Sequence, residues 1–430
     1  MLESNRRSFL LGLTTIASTS NAQPSAVQVD QSRANSLKNA SIASDQKYWQ
    51  SVRDMYRVSN VPINLENGFW GVMAEPVRAE YLSNINRINL DNSVYARTQF
   101  GKDAEAVRNL VSTAVGAKTS EIAFTRGATE ALQLIIAGYN KLSHGATVLY
   151  SDLDYDSMQY AMNWLADRRG AKVVKFSIPE PATKLNVLHA YKEALEQNPG
   201  TALLLLTHVS HRTGLVMPVS EIAAMARKRG VDVVLDAAHS WGQIDFKVSD
   251  LGVDFIGFNL HKWIGAPLGV GFMYIAQSRL KDIDRAMADE DWPVDDIRSR
   301  VHTGTSNFAS LLTVPSALSL HAQIGSYAKE MRLRHLRNYW VSELKKEKNI
   351  EILTPDDAAM VAGITSFRIK DRISAADNNL IVSELRDRYG IFSVRRSGVA
   401  KGQCVRISPA LFTTESDLDR LIFALKSMAS

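Results

Sequence analysis

Between residues 122 and 275 short apolar runs recur at regular intervals, and this recurrence restricts the fold more than any other feature of the chain. The runs are Ile122 to Thr125, Thr147 to Tyr150, Lys172 to Phe176, Leu203 to Thr207, Val231 to Leu235, Asp254 to Phe258 and Gly269 to Ile275. Each has strand length without strict apolar/polar alternation, which predicts a sheet buried on both faces. Helix-like stretches separate the runs. Ala131, Leu132, Ile135, Ile136 and Tyr139 share one face of a helix over 128–139, and 221–229 is similar. Strands alternating with helices predict a large α/β domain built on a mostly parallel sheet.

After Gly304 the pattern changes. Leu333, Leu336, Tyr339, Trp340 and Leu344 recur at helical spacing within one long helical stretch, roughly Ala309 to Lys348. Its basic residues Arg332, Arg334, His335 and Arg337 fall on several faces and read as a solvated surface. Strands at Ile364 to Ile369, Ile391 to Val394 and Cys404 to Ser408, with helices near 374–388 and 415–427, predict a smaller α+β domain. The chain thus divides into 45–308, an N-terminal segment plus the large domain, and 309–430, a connecting helix plus the small one. A hydrophobic content of 45% with 22% charged residues excludes a disordered or collagen-like chain. The net charge of +5 is too small and dispersed for a nucleic-acid binder. Cys404, the one cysteine, excludes an intrachain disulfide and a thiolate zinc site.

The N-terminus reads as an address. Arg6 and Arg7 precede an apolar stretch, Phe9 to Ala17, too short for the roughly 20 residues of a membrane helix, and Ser20-Asn21-Ala22 offers small residues for cleavage. Residues 1–22 resemble a twin-arginine export signal, which implies the export machinery as a partner and a periplasmic destination. Its removal would lower the charge from +5 to +4. Residues 23–44, rich in Ser, Ala, Gln and Asn, read as a flexible leader. No later segment has the length and apolarity of a membrane span.

Three features of the α/β domain point to one chemistry. The run ending at Thr125 passes through Arg126-Gly127 into Ala128-Thr129, where a helix opens; backbone N–H groups and the helix dipole there suit a phosphate. A glycine serving turn geometry alone reads equally well. Asp236 stands at the end of its strand, where open α/β sheets bind ligands, although an acid there also serves as a helix cap. Lys262, 26 residues later among apolar and aromatic neighbours, is poorly solvated, which lowers its pKa and makes it a usable nucleophile.

A phosphate cradle, an acid and a lysine in this order match a pyridoxal 5'-phosphate site. Asp236-Ala-Ala-His239-Ser-Trp-Gly, continuing through Asp254-Phe-Ile to His261-Lys262-Trp263, resembles the class V aminotransferases of the fold-type I group, in the branch similar to isopenicillin-N epimerase. The resemblance spans 60–427. It implies that Lys262 bonds the cofactor and moves the proton at Cα, and that Asp236 pairs with the ring nitrogen. It implies further that Ala128, Thr129 and His261 hold the phosphate, that Tyr155 stacks on the ring, and that Arg406 clamps a substrate carboxylate. His239 stands where the family often has Gln and would contact the phenolic oxygen. Thr303-Gly304-Thr305 resembles the segment that reaches the neighbouring subunit's phosphate, which implies a homodimer with Thr305 at the partner's cofactor. His211 departs from the Asn or Ser of related enzymes; contact with the ring oxygen or substrate and a purely structural role are both open.

A metal reading of His208, His211, His239 and His261 lacks a carboxylate or thiolate to complete a ligand set. Gly265, Gly269 and Gly271 lack dinucleotide-binding spacing. Cysteine desulfuration needs a thiol on a mobile loop, whereas Cys404 lies in a strand two residues before Arg406. The expectation is an enzyme acting at the Cα of an amine-bearing carboxylate. With the export signal, the pattern resembles periplasmic siderophore-tailoring enzymes such as those acting on the pyoverdine side chain. An amino-acid epimerase or aminotransferase is the alternative, and an inactive binding protein with the same fold is a third reading.

Overall fold

The computed structural model describes residues 40–430 apart from Asn60. The export signal at 1–22 and the leader up to residue 39 lie outside the described residues. Structure is already present before the expected start at 45: a turn of 3-10 helix, Ala40–Ser44, buries Ile42, whose carbonyl accepts from Trp49 Nε1 at 2.7 Å.

Seven strands form the central sheet: β2 (Ile122–Thr125), β3 (Thr147–Ser151), β4 (Lys172–Phe176), β5 (Thr201–Thr207), β6 (Asp232–Asp236), β7 (Phe255–Asn259) and β8 (Gly271–Ile275). Their order is β2-β8-β7-β6-β5-β3-β4, and only β8 runs against its neighbours. The leucine run of β5 shows why these strands are apolar on both sides. Leu204 and Leu206 pack with Leu149, Leu235 and Ile256 in one core, while Leu203 and Leu205 pack with Ile135, Met158 and Val234 in the other. Each leucine so buried contributes about 1.5–3 kcal/mol. Consecutive strands lie on opposite sides of β3, β4 on one and β5 on the other, so a crevice opens between the carboxyl ends of β3 and β5.

The smaller unit is a four-stranded antiparallel sheet of β9 (Ile350–Ile352), β10 (Thr365–Ile369), β12 (Val394–Arg396) and β13 (Cys404–Ile407), in the order β12-β13-β10-β9. Helices Ala375–Asp387 and Glu415–Ala429 bury Ile381, Leu385, Leu418 and Leu421 in its core. An N-terminal strand, β1 (Ile63–Asn64), pairs in parallel with β11 (Ile391–Phe392). The N-terminal segment therefore docks on the C-terminal unit.

Two expectations about the connecting helix are corrected. It is two helices, Phe308–Ile324 and Ser326–Leu344, because Gly325 takes φ +90°, a conformation side chains rarely tolerate. Its basic cluster is also largely internal. Arg332 is buried and donates to the Ala43 carbonyl and to Glu415, 2.7 Å away; buried Arg337 donates to Thr354. The helix lies between other elements, so several of its faces are covered.

Candidate active site

One cavity of about 430 Å³ collects the residues that the sequence singled out. Ala128, Thr129, Tyr155, His211, Asp236, His239, His261, Lys262 and Arg406 all line it. Thr305 does not: it lies on an exposed segment away from its own chain's cavity. The gathering follows from topology. Tyr155 comes after β3, His211 after β5, Asp236 and His239 at the end of β6, and His261 and Lys262 after β7, all at carboxyl ends.

At one end of the cavity the helix Ala128–Gly138 begins with Gly127, which has no side chain to cap it. A Cβ on Gly127 would lie 2.9 Å from Asn259 Oδ1, and one on Gly271 would lie 2.5 Å from the Gly127 Cα, so only glycines let these chains meet. Ala128 N–H donates to Asn259 Oδ1 at 2.7 Å. His261 Nδ1 faces the Val270 carbonyl at 3.0 Å and so carries the ring proton. Burial pushes the His261 pKa down to about 4.

The floor is rich in nitrogen. Lys262 Nζ lies 3.0 Å from His239 Nε2, and Trp263 Nε1–H donates to His239 Nδ1 at 3.4 Å. An indole only donates, so the proton of the neutral imidazole sits on Nε2 and points at Lys262. In that bond the lysine nitrogen accepts, so it forms in the fraction of molecules whose amine is unprotonated. Burial, only partly opposed by attraction to Asp236, brings Lys262 down to about 8; burial and then Lys262 hold His239 well below the usual histidine range. Behind the floor Lys329 is buried, with Nζ 2.7 Å from the Trp263 carbonyl and 3.1 Å from His321 Nδ1; burial lowers it to about 7. Asp236 is buried, accepts from Ala238 N–H at 2.9 Å and is raised by burial. Nearby Asp154 accepts from Ser151 and Thr207 and is raised to about 7.

The opposite wall comes from the C-terminal unit and the N-terminal segment. Arg406 on β13 is buried, donates through Nη1 to the His211 carbonyl at 2.8 Å, and meets Glu66 through Nε at 3.3 Å and through Nη2. Arg396 reaches the same Glu66 oxygen at 3.2 Å. His211 stands edge-on to Tyr155, with centroids 5.1 Å apart, and its Nε2 is 3.7 Å from Asp156. Burial pushes His211 down to about 3, while His211 and Arg212 hold Asp156 below the usual carboxylate range. Cys404 is fully buried off the cavity, and burial raises its thiol to about 11.

Sequence reasoning missed Glu66, Gly68, Asn259 and Arg396. Asn259, at the strand end three residues before Lys262, was within reach of the same argument; the other three carry no local signal.

These residues fit pyridoxal phosphate: a helix start for its phosphate, a buried acid for its ring nitrogen, a lysine of lowered pKa for its aldehyde and an aromatic ring beside them. The model of the family "Aminotransferase class-V" matches residues 76–421. The isopenicillin N epimerase of Streptomyces clavuligerus is 28% identical over 75% of this chain and 83% of its own length. That of Amycolatopsis lactamdurans is 27% identical over 89% and 98%. A cysteine desulfurase from Escherichia coli shares the fold, with a TM-score of 0.74 at 21% identity over 88% of this chain and 98% of that one.

Proposed function

Because the chain belongs to the class-V aminotransferase family, whose cofactor is pyridoxal 5'-phosphate, we propose an exported enzyme that acts at the Cα of an amine-bearing carboxylate. The substrate we propose is a peptide-like metabolite met in the periplasm, such as a siderophore side chain. The observation that carries the catalytic part is the facing of two walls across one cavity: a lysine of lowered pKa beside Asp236 and His239 on one side, and two arginines on the other. The Arg6-Arg7 pair supports export.

When bound, pyridoxal phosphate supplies an electron sink for the pair left on Cα by bond cleavage. Thr129 would hold its phosphate at the helix start, with the Ala128 N–H released from Asn259 and His261 protonated at Nε2 beside the phosphate charge as further donors; Asp236 would hold its ring nitrogen, His239 its phenolic oxygen and Tyr155 its ring face. Lys262, its pKa lowered by burial, would take or return a proton at Cα. Arg406 would bind and orient the carboxylate in a fork suited to that group. The exposed position of Thr305 supports a homodimer in which 303–305 completes the partner's phosphate site.

Purified protein should be yellow, borohydride should fix the colour covalently, and in Lys262→Ala borohydride should fix none. An untargeted metabolite comparison of wild-type and Lys262→Ala strains tests the substrate reading; no missing modified peptide would refute it. A second reading, amino-acid epimerisation, is favoured by the two epimerase relatives. It predicts exchange of the Cα proton with solvent deuterium together with inversion. Fractionation of cells carrying Arg6→Lys and Arg7→Lys tests export: retention in the cytoplasm is expected, and unchanged periplasmic recovery would overturn it.

A further inference from the structure

Glu66 occupies the arginine that the reading above assigns to the substrate. Its placement is built in. Ser408 N–H donates to the Leu65 carbonyl at 2.7 Å, Asn67 N–H donates to the Ser408 carbonyl at 3.2 Å, and Asn67 Nδ2 donates to the same carbonyl at 2.9 Å. Residues 65–67 are thereby tied to the chain two residues beyond Arg406. Gly68 then crosses the guanidinium so closely that a Cβ there would lie 2.7 Å from Nη2.

From this anchored backbone the Glu66 side chain, 8% exposed, reaches both arginines, whose side chains are 1% (Arg406) and 24% (Arg396) exposed. Glu66 Oε1 meets Nη2 of each, and Oε2 faces Arg406 Nε at 3.3 Å. Arg406 thus commits its Nε/Nη2 edge to Glu66 and one Nη1 N–H to the His211 carbonyl, so a carboxylate that is to take that edge must displace Glu66. The neighbouring Arg212 is balanced by Asp156 at 2.6 Å, so the cluster facing the cavity is two guanidiniums against one carboxylate, a surplus of one positive charge. Arg396 Nε is buried without a partner.

We propose that Glu66 determines the charge of the substrate that the cavity accepts. An incoming carboxylate displaces its side chain from Arg406, and the anchored backbone keeps its charge beside the arginine pair. One substrate carboxylate brings the cluster to neutrality. A second would leave a net negative charge in a poorly solvated wall, which is penalised. This deepens the reading of Arg406 as carboxylate clamp and rests on it. The substrate class is an amine with a single free carboxylate, any further acid group being tied up as an amide or ester.

Titration calorimetry of the holoenzyme with propionate and with glutarate tests this. The wild type should prefer propionate, and Glu66→Gln, similar in shape but uncharged, should shift the ratio toward glutarate by about tenfold or more. Arg396→Gln reads the same balance from the other side and should weaken propionate by about tenfold. A glutarate-to-propionate ratio unchanged in Glu66→Gln, or propionate binding unchanged in Arg396→Gln, would overturn the role of Glu66. Arg406→Gln separates the two levels. If it still binds propionate as the wild type does, the carboxylate clamp itself is wrong; if it loses propionate while Glu66→Gln keeps the wild-type preference, only the role of Glu66 falls.

Discussion

The two walls of the cavity handle buried charge in opposite ways. On the sheet side Lys262 faces His239, and Lys329 behind them faces the Trp263 carbonyl and His321; none has a carboxylate in hydrogen-bond contact, and burial drives each toward its neutral form. On the opposite side Arg406 and Arg396 meet Glu66, and Arg212 meets Asp156; burial brings Arg406 down only to about 10, so it stays charged. Leaving out a counter-ion yields a nucleophile and proton carrier, and supplying one yields a fixed charge for binding. The choice of residue reinforces the contrast, since lysine loses its proton readily and arginine does not.

The largest expected effect comes from removing the reactive amine. Lys262→Ala should lower turnover by more than about a thousandfold, measured by product formation alongside retention of absorbing cofactor on gel filtration. Next comes the binding wall. Arg406→Met takes the main partner from buried Glu66 and should destabilise the fold by about 3 kcal/mol in urea titrations. Adding Glu66→Gln should recover part of that loss, whereas no recovery would mean that the pair does not share its charge.

The nitrogen-rich wall has a pH signature in the cofactor-free protein. The folded-state pKa values, about 8 for Lys262 and about 7 for Lys329, lie below the unfolded lysine value, so between them and about 10.5 the unfolded chain binds more protons. Stability should therefore rise with pH across that window. Lys329→Met should flatten the rise by about 1.4 kcal/mol per pH unit; a slope unaltered between pH 8 and 10 would contradict a buried neutral lysine. The smallest effect belongs to Trp263→Phe, which removes the donor that fixes the His239 tautomer. A loss of about 1 kcal/mol is expected in thermal melts, with a shifted pH dependence of the cofactor spectrum.

The two walls also differed in how much of them the sequence disclosed. Most of the sheet side was legible because Asp236, His239 and Lys262 follow apolar runs, so reading where a strand ends locates the side chain: Asp236 closes β6, and Lys262 follows β7; Lys329, inside a helix, gave no such signal. The opposite side depends on partners far away in the chain. Glu66 and Arg406 are 340 residues apart, and no periodicity relates them. The same blindness explains the basic helix. Arg332 looked solvated because Glu415, 83 residues on, was not in view. Seven-stranded architecture and cofactor face were thus readable from local pattern, while charge balance had to await tertiary contacts.

The segment from β1 to Gly71 has a consequence for biogenesis. It pairs with β11, lies along Ser408, and ends with Gly71 N–H on the His261 carbonyl at 2.8 Å. During translation the sheet with Lys262 can assemble once residue 275 has emerged, but residues 63–68 must wait for β13 before Glu66 meets Arg406. Nascent chains stalled before residue 404 would carry the reactive lysine without the wall that selects what reaches it.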